Sequence, residues 1–312
     1  MDNLKNSIID ISTNYYKYLM NLENVTGIGL GFKEINGTKI LEPCIHVLVE
    51  KKVNIKYLSK NNIVPNKYMG ITTDVIEVRK TILKHNKKIP FKLRPLECGG
   101  SISTEDEASG TICCIVTNMK KHKRRYYILS NNHILADGNY SDIGIPIIQP
   151  GDIVGGSFKT DKIAHLTTFV PINYVEDDSK KVNFMDAAIG EVINSQNISN
   201  KVYGIGAITG VSKAILGETV KKVGSTTGFS SGIVETTNVT MTVPFSNYES
   251  AVFVKQIRAN FFNDGGDSGS PVLNDKNEIV GLFYSGSDDN KSAYFNDIGL
   301  VLEKLNVGLF ME

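Results

Sequence analysis

The stretch Asn263-Asp264-Gly265-Gly266-Asp267-Ser268-Gly269-Ser270-Pro271 decides how this chain is read. It sets one hydroxyl, Ser268, in a glycine-rich turn, with the apolar run Pro271-Val272-Leu273 directly after it. Glycine reaches backbone conformations closed to other residues and lets another backbone come close, as a turn that aims two N–H groups at an oxyanion requires. The same residue types dominate ordinary loops, so the loop alone leaves a plain turn and a nucleophile site equally open. A serine hydroxyl becomes a nucleophile only with a base in reach and a third group to orient that base. Partners elsewhere in the chain decide the matter.

The histidines are His46, His85, His122, His133 and His165, all before Ser268. A chain order of serine, acid, histidine is therefore excluded, and with it the α/β-hydrolase arrangement that Gly228-Phe229-Ser230-Ser231-Gly232 would suggest. Ser230 reads as a turn residue. His133 follows the strand-like Tyr126-Tyr127-Ile128-Leu129-Ser130 within Asn131-Asn132-His133-Ile134-Leu135-Ala136, where it can be held rigidly facing a cleft, and it is the best base. His46 alternates with Ile45 and Val47 and reads as structural, and His122 sits in a charged tip. Asp186 is flanked by Phe184, Met185 and Ile189, where it is predicted to open a strand and to be at least partly buried. A buried carboxylate needs a partner, which an imidazole N–H supplies. Asp177 and Asp178 lie in a polar, solvated run. The resulting order, His133, Asp186, Ser268, is that of chymotrypsin-type enzymes.

Composition narrows the classes. The chain has 312 residues with 41% hydrophobic content, enough for a large core. Its net charge of +1 gives no general attraction to nucleic acid or anionic lipid. No apolar run approaches the roughly 20 residues needed to span a bilayer, and Met1-Asp2-Asn3-Leu4-Lys5-Asn6-Ser7 has no signal-peptide pattern. Cys44, Cys98, Cys113 and Cys114 show neither CxxC spacing nor a disulfide framework, so free buried thiols, no metal and a cytoplasmic location are expected.

Along the chain, Ile8, Ile11, Tyr15, Leu19 and Leu22 predict an amphipathic helix over residues 3 to 22. Residues 25 to 35 and 40 to 51, on either side of Asn36-Gly37, predict a β-hairpin. Gly27-Ile28-Gly29-Leu30-Gly31 has GxGxG rather than GxGxxG spacing and reads as glycines within a strand. A short helix near 55 to 62 and a strand at 73 to 78 complete a small α+β N-terminal domain, residues 1 to 95. The basic, proline-bearing run from Lys84 to Pro95 marks the boundary. Beyond it, residues 96 to 312 read as mainly β, with short Val/Ile/Thr-rich runs punctuated by Gly, Asn and Asp. Strands at 110 to 118 and 126 to 130 flank Lys120-Lys121-His122-Lys123-Arg124-Arg125, which reads as a solvated hairpin tip.

On Leu129 to Ala136, Asp186-Ala187-Ala188-Ile189, Gly266 to Pro271 and Val280-Gly281-Leu282-Phe283-Tyr284-Ser285-Gly286-Ser287, the chain resembles the trypsin- and chymotrypsin-like serine peptidases. With its Asn-Asn-His, Gln-Pro-Gly-Asp and Gly-Asp-Ser-Gly-Ser blocks it is most similar to the bacterial and plant narrow-leaf-type members, which tend to carry a small N-terminal domain. The resemblance implies a double antiparallel β-barrel of two six-stranded units. It implies His133 as general base, Asp186 as its orienting acid and Ser268 as nucleophile, with the Gly266 and Ser268 N–H groups as oxyanion hole. Asp267 is implied to shape the turn through a buried interaction. The chain departs from the pattern in having no cysteine near His133, Tyr284 where many members have a serine touching the acid, and Ser270 in place of a glycine.

Two functions follow as expectations: a serine endopeptidase acting through an acyl-enzyme, or a weak or inactive module of the same fold that binds peptides or partner proteins. Substrate-binding candidates are Phe262, Tyr284, Ser285 and Gly286. Members that cut after Lys or Arg carry an aspartate where Phe262 stands, so small or apolar residues are the expected preference, unless a shifted loop brings Asp264 or Asp297 into the pocket. The partner is expected to be a peptide or protein, with no cofactor, nucleic acid or membrane, and with possible self-association through the N-terminal domain.

Overall fold

The computed structural model describes residues 2–35, 38–78, 81–82, 92–105, 109–119, 124–175, 181–246 and 248–312. The Asn36-Gly37 turn, His85, His122, Asp177, Asp178 and most of the two basic runs lie outside these residues. Strands dominate, and three sheets of twelve, eight and three strands account for them.

The strands Thr219–Gly224, Pro271–Asn274, Glu278–Ser287, Ala293–Asp297, Ser250–Ala259 and Gly228–Pro244 pair in that order, and the last pairs back onto the first. This is a closed six-stranded antiparallel barrel, which leaves no internal edge. Its interior holds Val220, Val234, Phe261, Val272, Phe283 and Phe295. The eight-stranded sheet includes Cys114–Asn118, Tyr126–Ser130, Ala188–Val192 and Lys162–Phe169, and it gains the C-terminal strand Val307–Leu309, so it is larger than the six strands expected. The helix Ile298–Leu305, capped by the Asp297 carboxylate accepting from the Leu300 N–H at 3.2 Å, carries the chain from the closed barrel to that last strand.

The N-terminal helix is interrupted: Asp2–Asn14 and Lys17–Met20 are separate, and the segment expected as a helix near residue 55 is two single turns, Ile55–Tyr57 and Lys60–Asn62. The hairpin is formed by Val25–Ile35 and Thr38–Val49, with Ile71–Glu77 alongside. Val25–Ile35 also pairs antiparallel with Gly228–Pro244, so the N-terminal strands run directly into the sheet of the closed barrel. The three glycines permit this approach. A Cβ on Gly29 would lie 2.8 Å from the Thr236 methyl, and one on Gly31 would strike the His46 ring at 2.0 Å.

His46 clasps the junction. Its Nε2 donates to the Phe32 carbonyl at 2.9 Å, which leaves Nδ1 to accept from the Thr236 hydroxyl at 2.9 Å. Cys44 Sγ, a His46 nitrogen and an Asp74 oxygen lie within 4.8 Å of one another. Both ring nitrogens are already engaged, Asp74 pairs with Lys33 at 3.4 Å, and burial pushes the Cys44 thiol up to about 12, so the group is built as a packed clasp. Lost solvation, with the Arg258 charge adding to it, holds His46 down at about 4 against the pull of the Phe32 carbonyl, Asp74 and Glu235.

An unfolded histidine takes its proton near pH 6.5 while the folded one resists until about 4. The unfolded chain thus binds more protons over that window, and stability falls as pH drops through it, by up to about 3 kcal/mol. Urea unfolding from pH 7.5 to 4 should show this loss, and His46→Asn should flatten that part of the slope while lowering stability at pH 7.5.

Candidate active site

Asn131 follows the Tyr126–Ser130 strand at the N-cap position of the short helix Asn132–Leu135, with its side chain turned to Asp186 rather than to the helix. The helix turns the N–H groups of Asn132 and His133 toward Asp186 Oδ1, at 2.6 and 3.2 Å. The other carboxylate oxygen is bonded to His133 Nδ1. Asp186 is fully buried, lies two residues before the Ala188–Val192 strand rather than opening it, and is fixed at its own backbone from two sides. Its N–H donates to Asn296 Oδ1 at 3.0 Å, and its carbonyl accepts from the Asn131 amide at 2.8 Å. Asn296 in turn donates to Gln256 at 2.6 Å. A buried carboxylate is tolerable when its oxygens are filled in this way. The four donors to Asp186, the Asn132 and His133 N–H groups, His133 Nδ1 and the Asn131 amide, all belong to the Asn131-Asn132-His133 run, which gives that run its chemical sense.

Because Nδ1 is bonded to the carboxylate, Nε2 is the nitrogen left for chemistry. His133 is 7% exposed, and the Phe245 ring stands edge-on to it with centroids 6.3 Å apart. Ser268, 4% exposed, donates its Oγ to the Tyr284 carbonyl at 3.3 Å. The serine turn is riveted to the eight-stranded sheet through Thr111, whose N–H donates to the Ser268 carbonyl at 2.8 Å and whose hydroxyl donates to the Gly266 carbonyl at 2.7 Å. Ser130 Oγ closes the junction by donating to the Thr111 carbonyl at 2.8 Å. Gly269, at φ 92°, passes so close that a Cβ there would sit 2.1 Å from the Thr111 carbonyl.

These bonds turn the Gly266 carbonyl inward. Among the described residues the Gly266 and Ser268 N–H groups have no acceptor, and Gly266 stands at φ 89°. That arrangement leaves two donors beside Ser268 for an oxygen atom that is not part of the chain.

Behind the turn lies a fully buried ion pair, Lys222 with Asp267, at 2.5 Å. Asp267 Oδ1 accepts from the Thr226 and Thr227 N–H groups, both at 3.0 Å, and Oδ2 from the Thr227 hydroxyl at 2.6 Å and the Asp264 N–H at 3.1 Å. Lys222 also donates to the Thr227 hydroxyl. Burial pulls its ammonium downward and the carboxylate opposes that. Gly224 makes the room, since a Cβ there would meet Asp267 Oδ1 at 2.1 Å.

Of the substrate-binding candidates, Tyr284 is fully buried, with its ring against Phe253 and its hydroxyl on the Met241 sulfur at 3.6 Å, so it faces the site through its carbonyl. Phe262 is 55% exposed, and its carbonyl accepts from Ser230 Oγ at 2.7 Å, which places the serine of the nucleophile-elbow look-alike on a strand surface. Ser285 is buried with its hydroxyl unpartnered among the described residues. Gly286 lies against Asn263, whose Oδ1 would be 1.8 Å from a Cβ there. Asp297 is committed to its helix cap. His165, on the exposed face of the Lys162–Phe169 strand, bonds the Gly144 carbonyl at 3.0 Å. The four cysteines are buried and free. Among the described residues no helix is long and apolar enough to cross a membrane.

A closed antiparallel barrel whose serine turn is hydrogen-bonded to a second β sheet defines a mainly β, chymotrypsin-like protein. The family model described as Trypsin matches residues 122–300, and the chain belongs to that family. A second model, described as the NARROW LEAF 1 N-terminal domain, matches residues 6–80. The glutamyl endopeptidase of Staphylococcus epidermidis is 44% identical over 45 residues, a match that covers 14% of this chain and 16% of that protein. Among solved structures, the Nocardiopsis protease NAPase is similar in fold with a TM-score of 0.50 at 17% identity, covering 69% of this chain and all (100%) of that one. Thermobifida fusca Protease A has a TM-score of 0.49 at 16% identity, covering 70% of this chain and 100% of its own.

Lys222→Met should leave Asp267 buried without a cation and cost about 3–5 kcal/mol. Chemical unfolding will read that loss. Lys222→Met combined with Asp267→Asn should recover part of it, since the stranded charge is then gone.

Proposed function

We propose that the chain is a serine endopeptidase in which Ser268 attacks the scissile carbonyl. His133 Nε2 takes the Ser268 proton as the bond forms and passes it to the leaving amine. Water then repeats the sequence on the acyl-enzyme, giving its proton to His133 and releasing the acid with Ser268 restored. Asp186 holds the imidazole in the tautomer with its proton on Nδ1 and stabilises the imidazolium. The Gly266 and Ser268 N–H groups receive the oxyanion.

The observation that supports this reading is the orientation of His133 by a fully buried carboxylate, together with a buried serine, Ser268, in a turn whose Gly266 and Ser268 N–H groups have no acceptor among the described residues. The Ser268 hydroxyl rests on the Tyr284 carbonyl at 3.3 Å, and the proposed reaction requires it to exchange that acceptor for the His133 imidazole. Catalytic hydrogen bonds commonly tighten in this way only when substrate is present.

A fluorophosphonate probe should label the wild-type protein at Ser268, and Ser268→Ala should abolish both label and peptide turnover, the latter by ~10⁴ or more. The variant should melt as the wild type does. No label and no turnover in a well-folded wild-type protein would leave the peptide-binding module as the correct reading.

Specificity is tested separately. Position 262 carries no carboxylate, Asp297 is used as a cap and Asp264 accepts from the Gly265 N–H at 2.8 Å, so the proposed pocket offers a buried basic side chain no dedicated counter-charge. Matched peptides with Arg, Phe, Leu or Ala before the scissile bond should be cut poorly after Arg. A large excess of cutting after Arg would show this assignment to be wrong.

A further inference from the structure

The strand Glu278–Ser287 has two sides. One is covered by Ala293–Asp297 from Gly281, opposite Asp297, to Gly286, opposite Ala293. The other is covered by Pro271–Asn274 only as far as Leu282, opposite Pro271. The serine turn then carries the ladder one step further, with Phe283 donating to the Ser270 carbonyl at 3.0 Å and accepting from the Gly269 N–H at 2.8 Å. Ser268 Oγ on the Tyr284 carbonyl follows. Past that point the barrel has no strand for this side, and an open edge there is a template for any extended peptide.

The chain fills that edge itself. Thr81–Ile82 pairs antiparallel with it, Ile82 opposite Gly286 and Thr81 opposite Ser287. Since Ala293–Asp297 already covers the other side at Gly286, this strand lies on the same side as the serine turn. A peptide in this register runs its N-to-C direction from Ser287 toward Tyr284, which is toward Ser268.

The segment is delivered there by fixed anchors. Upstream, the Val78 N–H donates to the Val49 carbonyl at 2.9 Å, and the Val78 side chain is buried in the cluster that contains Tyr284 and Phe253. Downstream, Lys92 pairs with Asp161, and the Leu93 N–H donates to Gln149 at 3.1 Å, both beside the eight-stranded sheet. A tether this short keeps the local concentration of the segment high without demanding a tight contact.

We propose that Thr81–Ile82 is a built-in competitor for the peptide-binding edge Ser285–Ser287, so that the resting protein is self-inhibited and a substrate binds by displacing this strand. The inference rests on the peptidase reading for its consequence, but the occupancy itself is a matter of binding and is tested without catalysis.

Two prolines, Thr81→Pro with Ile82→Pro, remove the N–H groups this strand can offer the ladder. In a Ser268→Ala background, a fluorescent peptide with the sequence of residues 77 to 84 should bind the double-proline form about tenfold more tightly than the form with the native strand. A second variant with a flexible Gly/Ser insertion after Val78 should shift in the same direction, and it guards against proline simply damaging the fold. Equal peptide affinity in all three forms would overturn the proposal.

With Ser268 restored, the two linker variants should cleave a reporter peptide about tenfold faster at low substrate, and the added 77–84 peptide should slow them again. Turnover equal to the wild type would also overturn self-inhibition. A preserved difference in binding with no turnover in any form would instead sink the peptidase reading and leave the occupied edge standing.

Discussion

The serine turn depends on the Lys222–Asp267 ion pair more than on any residue that faces the cleft. Two charges with no solvent exposure are costly to bury, and they persist only where their remaining hydrogen-bonding capacity is filled. Here the carboxylate takes two backbone N–H groups from Thr226 and Thr227 and a third from Asp264, so one side chain ties together a barrel strand end and the start of the serine turn. The geometry of the Gly266 and Ser268 N–H groups follows from that tie and from Thr111, which holds the Gly266 carbonyl on the inner side. The free donors are thus a by-product of which carbonyls are bound elsewhere.

The same logic recurs at Asp186. Its oxygens are filled by an imidazole and two N–H groups, and its backbone is gripped by Asn131 from one sheet and Asn296 from the closed barrel. An imidazole oriented from both sheets stays aligned only while they stay docked, so the docking contacts and the site share the same residues. Asn296, Gln256 and Thr111 are therefore positioning groups as much as packing.

How much of this was legible beforehand follows from range. The His133, Asp186 and Ser268 assignments rested on local run and chain order, and the structure brings the first two into direct contact. Lys222 carries a signal that run and chain order do not use: it shares the inward, period-two face with Val220, where a lysine is out of place. Thr111 and Asn296 carried no local signal, because their roles exist only across sheets. Periodicity predicts one continuous helix over 3 to 22 because it cannot see the break at Tyr15-Tyr16, and the apolar residues around Asp186 predict a strand that starts two residues early because they mark burial rather than pairing. The union of the N-terminal hairpin with Gly228–Pro244 was invisible for a further reason. An edge strand and an inner strand have the same alternation when both faces are covered.

That union changes what the N-terminal residues can do. An exposed barrel edge at Gly228–Pro244 would invite pairing with other chains, and the hairpin removes it while His46 and the three glycines hold the two strands close. The hairpin then brings Ile71–Glu77 alongside itself, and Val78 into the cluster under Tyr284, so the chain that leaves this sheet is already beside the serine turn. A second open edge, at Ser285–Ser287, is met by the very next residues that pair, Thr81–Ile82. Both contacts cover backbone that the closed barrel leaves unpaired, but they differ in permanence. The first is an extended ladder locked by buried side chains, and the second is a two-residue strand, so of the two it is the one a competing peptide can replace.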